Sequence, residues 1–228
     1  MRGTLKALSA LLVYPCAELQ AATGEIRSVL SAERALPPQV LESLDVLLRR
    51  MSGDDLMDLQ AEYTALFDGS RSLSLHLFEH VHGESRERGQ ALIDLAGEYM
   101  KRGFVISANE LSDFLPLFLE FLSFIEPTEA REWLGRPAHV LVAMEERLRE
   151  RGSPYAAVFH ALVLLPDREA DPQAVAELRL RMSAEEARSV DERWEDAPVT
   201  FTAPNPAPRP AGVTARIRTM LQRDSRPE

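Results

Sequence analysis

Three of the chain's five histidines stand close together near its middle. His76, Glu79 and His80 have the spacing of an inverted zinc-peptidase motif, with a carboxylate between two histidines one helical turn apart. Such a pair can reach one Zn²⁺, but a catalytic site also needs a third protein ligand and an open water position. No downstream glutamate is marked as that ligand, and His82 falls on the apolar side of the predicted helix. A polar stripe that forms hydrogen bonds across a helical corner is the favoured alternative.

Glu110 and Asp113 are a second pair of candidate catalytic residues. Two carboxylates three positions apart could do general acid–base chemistry. They precede an apolar helix, however, where carboxylates usually cap the helix and interact with its dipole. The sequence contains no Gly-rich phosphate loop, no Gly-x-Ser-x-Gly elbow and no Cys/His cluster, so it supports neither nucleotide binding nor serine or cysteine hydrolysis.

The segment that must position the three histidines runs from Leu66 to Gln90. On a helical wheel, apolar side chains fill one broad arc opposite the polar residues of the motif. These apolar residues are Leu73, Leu75, Leu77, Phe78 and Val81. Gly83 follows the last of them, where a left-handed C-cap residue is commonly needed, and Ser85 is placed to cap a second helix that begins near Arg86. The pattern predicts a helix, a tight corner and another helix.

Apolar residues recur at intervals of three and four along most of the chain, which predicts further helices. The predicted segments are one that stops at Pro15, then 17–32, one after Pro38 that ends at Gly53, one capped by Asp54 or Asp55, 86–102 before Gly103, the apolar run 114–122, one around Trp133, 137–151, 154–165 and 174–194. We find no alternating two-residue periodicity anywhere in the chain, so no sheet is predicted. The expected fold is all-α, a single helical-bundle domain of about nine to eleven helices over residues 1–196.

The apolar run from Phe114 to Leu122 leaves little room for a solvated face, so this helix is predicted to be central in the core. Pro116 suits its first turn, where a backbone N–H has no helical partner. Ser112 or Asp113 is the expected N-cap.

Residues 197–228 differ in composition from the rest of the chain. Prolines are too dense between 197 and 212 for a helix or an interior strand, which predicts a disordered or extended linker. A short amphipathic basic segment follows, with apolar Val213, Ile217, Met220 and Leu221 beside Arg216, Arg218 and Arg223. A flexible, disordered tail is the favoured interpretation, and docking on a partner or on a membrane surface is the alternative.

Composition excludes several classes of protein. The net charge of -10 and the pI near 5.1 argue against nucleic-acid binding, which needs a basic face. A single cysteine, Cys16, excludes a disulfide framework or thiolate cluster and suits a reducing compartment. No apolar stretch approaches the roughly 20 residues of a membrane span, so stable membrane insertion is not expected. The predicted location is the cytoplasm.

Two stretches together resemble a known family. LFDGSRSLSLHLFEHVHGESRERGQA, residues 66–91, closely resembles the signature of the respiratory nitrate reductase assembly chaperones of the delta subunit or NarJ type, within the redox-enzyme maturation chaperones. ELSDFLPLFLEFL, residues 110–122, resembles their second motif, although many relatives have Pro where Ser112 stands and His where Phe114 stands. With ALLVYP at residues 10–15 and the charged segment around Trp194, the resemblance covers roughly residues 5–200.

The resemblance implies an all-helical protein without a cofactor that is not an enzyme. It implies transient binding, in the cytoplasm, to the catalytic (alpha) subunit of respiratory nitrate reductase, including its N-terminal peptide. The chaperone would hold the apo subunit competent for molybdenum cofactor insertion before membrane attachment. Apolar grooves between helices can bind an amphipathic peptide, and an acidic surface can favour a basic one, so the composition agrees with this role.

We hypothesise that two sets of residues form the walls of the partner site. The first set is His76, Glu79, His80, His82, Glu84, Arg86 and Arg88, and the second is Glu110, Asp113, Phe114 and Pro116. The alternative is that the first set only holds two helices at a fixed angle. If His80 lies at the partner surface, its protonation near pH 6.5 would tune binding. A zinc-dependent hydrolase and a helical adaptor for another redox enzyme are the rival functions. The sequence leaves self-association open.

Overall fold

The structure, a computed structural model, describes residues 1–69, 71–83, 85–107 and 110–187. Within these ranges the chain forms eleven α-helices and no strand. They are α1 (Arg2–Leu11), α2 (Ala17–Glu33), α3 (Pro38–Gly53), α4 (Leu56–Tyr63), α5 (Leu77–His82), α6 (Arg86–Lys101), α7 (Leu115–Leu122), α8 (Pro127–Gly135), α9 (Ala138–Glu150), α10 (Ala156–Leu164) and α11 (Pro172–Ala187). The all-α fold class is confirmed. The predicted linker and basic segment of residues 197–228 lie outside the described residues.

Helix α7 occupies the centre of the core, as its apolar composition predicts. Leu115, Leu119 and Leu122 have no exposed surface, and Phe118 is 2% exposed. Helix α1 packs along α7, and Ser9 Oγ donates a hydrogen bond to the Pro116 carbonyl at 2.6 Å. Helices α9 and α10 pack against each other, and α10 also contacts α3. The start of α7 is therefore held in place by α1.

Several helix ends follow the local chemistry of their residues. The Asp55 carboxylate accepts a hydrogen bond from the Met57 N–H and caps α4. Gly83 and Gly103 follow α5 and α6 with φ of 57° and 82°, in the region that favours glycine. Ser85 stands at the N-cap of α6, but its side chain forms no capping hydrogen bond. The predicted position of that helix start is correct, and the predicted side-chain cap is wrong.

The prediction of one helix through Leu73 to Val81 is wrong. A π-helical turn covers Thr64–Asp68, a 3₁₀ turn covers Arg71–Leu73, and α5 begins only at Leu77. Between the 3₁₀ turn and α5 the chain has no regular secondary structure, and His76 has extended backbone angles. Leu73, Leu75 and Leu77 are at most 4% exposed, whereas Val81 is 40% exposed. Ser72 and Ser74 are buried as well, so burial in this segment does not follow the single apolar face that a helical wheel of period 3.6 assigns.

Within the described ranges, no helix combines the length and the apolar composition needed to cross a bilayer.

Candidate functional site

The two motif segments lie side by side at the start of α7. The Leu115 N–H donates a hydrogen bond to the Leu75 carbonyl at 2.8 Å, and the Leu77 N–H donates one to the Asp113 carbonyl at 3.1 Å. These bonds place His76 opposite Phe114 in an isolated antiparallel bridge. We call this junction of residues 74–80 with residues 112–116 the motif corner. The two predicted walls of the partner site are therefore in direct contact.

Asp113 is the fully buried centre of the motif corner. Its Oδ2 accepts a hydrogen bond from the Phe78 N–H at 3.0 Å, and its Oδ1 lies 3.1 Å from Nδ1 of His76. Asp113 thus caps the N-terminus of α5 from another segment of the chain, as a local N-cap residue would. The prediction that Ser112 or Asp113 caps α7 is wrong, because Phe114 is its N-cap residue and offers no side-chain hydrogen bond.

The start of α7 needs little side-chain capping for a physical reason. The Leu115 N–H is already bonded to the Leu75 carbonyl, and Pro116 has no N–H. Pro116 lies in the first turn, as predicted. The carboxylate of Asp113 is therefore available to α5.

His76 lies at the edge of the motif corner, and its side chain is 31% exposed. The ring tilts against Phe114, with 5.4 Å between the ring centroids. Nδ1 faces the carboxylate of Asp113, which leaves Nε2 as the nitrogen that Asp113 does not engage. His76 and Phe114 are thus candidates for direct contact with a partner.

His80 lies in the interior, with only 6% of its surface exposed. Its Nε2 lies 2.8 Å from the Ser74 carbonyl, to which the imidazole N–H donates. Burial lowers the pKa of His80, and the Ser74 carbonyl and the charge of Glu79 partly oppose this effect. The expectation that His76, Glu79 and His80 share one exposed stripe is wrong, because the chain is extended at His76 and helical only from Leu77.

The zinc alternative finds no support in this geometry. His76 and His80 use different ring nitrogens for different partners, Asp113 and the Ser74 carbonyl. Among the described residues, no group of three or more His, Cys, Asp or Glu side chains could hold a metal ion. The arrangement instead ties the extended segment to α5 and α7.

The remaining predicted residues lie around the corner between α5 and α6. Arg88 of α6 donates a hydrogen bond to Glu79 of α5 at 2.9 Å, and both side chains are about three-quarters buried. His82 contacts the ring of Phe78 at 5.6 Å between centroids. Arg86 is exposed, and Glu110 is half-buried. Glu84 lies outside the described residues.

A family model for the nitrate reductase delta subunit matches residues 17–161, more than half of the chain. That range contains both motif segments. The chain belongs to the nitrate reductase delta subunit family.

Two curated relatives of this delta subunit family member differ in how much of their length they share with it. The nitrate reductase molybdenum cofactor assembly chaperone NarJ of Escherichia coli (strain K12) is 40% identical over 201 residues, which cover 86% of this chain and 84% of that protein. The nitrate reductase-like protein NarX of Mycobacterium tuberculosis (strain CDC 1551 / Oshkosh) is 27% identical over 148 residues, which cover 64% of this chain and 23% of that protein. The similarity to NarJ therefore spans most of both chains.

One solved structure shares the fold of this family member. It is the crystal structure of a protein from Archaeoglobus fulgidus that is assigned as a redox enzyme maturation protein. The TM-score is 0.52 at 22% identity, and the match covers 72% of this chain and 91% of that chain. This likeness concerns the fold alone.

Sequence reasoning missed the residues that join α6 to the motif corner. Ser112 Oγ donates a hydrogen bond to the Leu92 carbonyl at 2.7 Å, and the Tyr99 hydroxyl donates one to the Ser112 carbonyl at 2.8 Å. Tyr99 is fully buried, and burial together with the charge of Asp113 raises the pKa of its hydroxyl. A tyrosine on the buried face of a helix usually needs a hydrogen-bond partner, and this was the available signal. In this delta subunit family member, Ser112 is thus a structural link between α6 and the second motif.

Proposed function

We propose that this protein is an assembly chaperone for a respiratory nitrate reductase. It binds the apo catalytic subunit, including its N-terminal peptide, and keeps that subunit competent for molybdenum cofactor insertion before membrane attachment. Binding is transient and takes place in the cytoplasm. A chain with a single cysteine forms no internal disulfide, which suits that reducing compartment. The observation that carries the proposal is the 40% identity, over most of both chains, to a protein named as such a chaperone in Escherichia coli.

The motif corner supports a role in recognition. Its inner side chains, Asp113 and His80, are engaged in hydrogen bonds that hold two chain segments together. Its outer side chains, His76 and Phe114, present an aromatic surface with one imidazole edge. Aromatic groups on a rigid support are common anchors for a partner's apolar side chains.

The direct test measures binding of the full-length protein to a synthetic peptide from the N-terminus of the catalytic subunit of the same organism. Calorimetric titration should give saturable binding, and a scrambled peptide should give none. A pull-down from nitrate-respiring cells should recover the catalytic subunit. If neither partner binds, the proposed client is wrong. Recovery of a different redox enzyme would favour the adaptor alternative.

His76→Ala tests whether the motif corner contacts the client. We expect peptide affinity to fall about tenfold, the effect of losing a moderate contact residue, while the melting temperature stays within a few degrees. His160→Ala is the matched control, because Nδ1 of His160 also bonds a buried carboxylate, Glu145 at 2.9 Å, and its side chain is 44% exposed. Equal affinity of the His76→Ala protein and the wild type would remove His76 from the binding surface.

A further inference from the structure

Helix α6 has an apolar face that no described part of the chain covers. Ile93 and Met100 are 66% and 62% exposed, although they lie on the same side of the helix. Two glycines lie on the same side, Gly89 four residues before Ile93 and Gly97 four residues after it. We call the four residues the α6 stripe. The opposite side of α6 carries Leu95 and Tyr99, which are buried against the body of the protein.

The two glycines have no packing role within the described residues. A Cβ atom added at Gly89 or at Gly97 would meet nothing within 4 Å. Glycine is among the poorest helix formers, so two of them on one exposed face weaken α6 without an internal reason. They leave the backbone open to close approach by another segment, beside the large side chains of Ile93 and Met100.

Charges beside the α6 stripe indicate the kind of segment that fits it. Glu87 and Asp94 lie along one flank, and both are exposed. Gln90 donates a hydrogen bond to Asp94 at 2.8 Å, and His82 lies 3.9 Å from Glu87. Glu98 lies on the same flank and pairs with the exposed Lys101, and the exposed Arg86 lies at the N-terminal end of the stripe. Three carboxylates therefore stand against two basic side chains, a small acidic excess. A complementary segment would combine apolar residues at helical spacing with basic residues beside them.

We propose that residues 213–223 of this same chain dock on the α6 stripe. Apolar residues recur every four positions in this segment, at Val213, Ile217 and Leu221. The α6 stripe residues Gly89, Ile93 and Gly97 have the same spacing. Arg216, Arg218 and Arg223 supply the basic charge. The complementarity is thus both apolar and electrostatic.

The length of the intervening chain permits this docking. Residues 188–212 separate the end of α11 from the basic segment, and 25 residues can span roughly 25–30 Å even without being fully extended. Helix α11 packs against the Arg71–Leu73 turn, which contacts α5. Helix α5 in turn packs against α6. A segment tethered at this distance has a high effective concentration at its target.

Distances between two spin labels in the full-length protein test the proposal. Labels on Lys101→Cys and Gln222→Cys, in a Cys16→Ser background, should give a narrow distribution below roughly 30 Å, because α6 itself is only about 24 Å long. Ile93→Glu and Ile217→Glu should each broaden it. Thr219→Glu, on the other side of the tail segment, is the control and should leave it narrow. A broad distribution in the parent protein would overturn the proposal.

Two further measurements test whether docking uses the glycines of the α6 stripe and whether it occurs within one chain. Gly97→Ala should broaden the distance distribution, because the added methyl group blocks close approach of the tail segment. Gly24→Ala in α2 is the control and should leave the distribution narrow, since a Cβ added there also meets nothing within 4 Å. Dilution of the labelled protein with excess unlabelled protein should leave the short distance unchanged. Loss of the short distance on dilution would show that a second copy occupies the α6 stripe and would overturn the proposal.

Discussion

At the scale of single residues, the motif corner depends on one buried carboxylate. The Asp113 carboxylate accepts a hydrogen bond from the Phe78 N–H and faces the His76 ring, and the residue has no exposed surface. This carboxylate caps the N-terminus of α5, as a local N-cap residue would. Because it comes from the second motif, it also fixes the position of that motif relative to the first. The same residue therefore shapes the corner and orients the partly exposed imidazole of His76 beside it.

Replacement of Asp113 should destabilise the protein. In Asp113→Ala the Phe78 N–H loses its partner in the interior, which costs about 2–3 kcal/mol in the free energy of unfolding. Urea denaturation at pH 7 measures the loss. Glu25→Ala, an exposed carboxylate on α2, is the control and should change stability by less than about 0.5 kcal/mol. A change at Asp113 as small as the control's would mean that the buried cap is dispensable.

His80 makes stability depend on pH in a defined direction. Because burial lowers its pKa in the folded state, the unfolded state takes up the proton first as the pH falls below 6.5. The contribution of His80 is thus fully present above pH 6.5 and is lost as the pH falls toward the folded-state pKa.

We expect His80→Gln to lose less stability than the wild type between pH 7.5 and 5.5, because glutamine can keep an N–H for the Ser74 carbonyl but does not titrate. Urea midpoints at the two pH values measure the difference. Burial also lowers the pKa of His139, so His139→Gln shows how much of the slope that residue supplies. If the stability of the His80→Gln protein and that of the wild type change equally with pH, the pH dependence does not come from His80.

At the scale of elements, α6 is the least embedded part of the site. Leu95 and Tyr99 are its buried residues, and its links to the second motif are the hydrogen bonds of Ser112 and Tyr99. The segments on either side of it contain glycines with positive φ. We therefore expect α6 to open locally before the core around α7 unfolds.

Tyr99→Phe should loosen α6 selectively. The substitution keeps the ring but leaves the buried Ser112 carbonyl without its donor, at a cost of about 1–2 kcal/mol. Hydrogen exchange should accelerate in residues 86–101 and much less in α7. Tyr14→Phe, on a partly exposed ring, is the control. Equal acceleration across the whole chain would show that Tyr99 stabilises the fold globally.

At the scale of the whole molecule, the net charge of -10 favours basic partners during encounter. For a client peptide with basic residues, we expect the association rate to fall on the order of tenfold between low and high salt, while the dissociation rate changes little. Stopped-flow fluorescence measures both rates. A peptide with its basic residues replaced by glutamine should show a flat salt dependence. An association rate that is insensitive to salt for the basic peptide would exclude electrostatic steering.

The sequence alone determined the all-α class, the central place of α7 and several helix boundaries. Gly83, Gly103 and Pro116 stand where predicted, because the backbone angles that glycine and proline permit are properties of single residues. The apolar spacing of the run 114–122 likewise predicted a helix without a solvated face. These features depend on residues a few positions apart.

The tertiary structure decided how the motif residues are used. Asp113 caps α5 through the Phe78 N–H, 35 residues earlier in the chain, and His76 is extended where it pairs with Phe114. His80 points inward in this arrangement, and about one-third of the His76 side chain is exposed. Hydrogen bonds between distant segments depend on the path of the whole chain. The helical wheel assigned residues 73–81 to one helix because it takes no account of that partner segment.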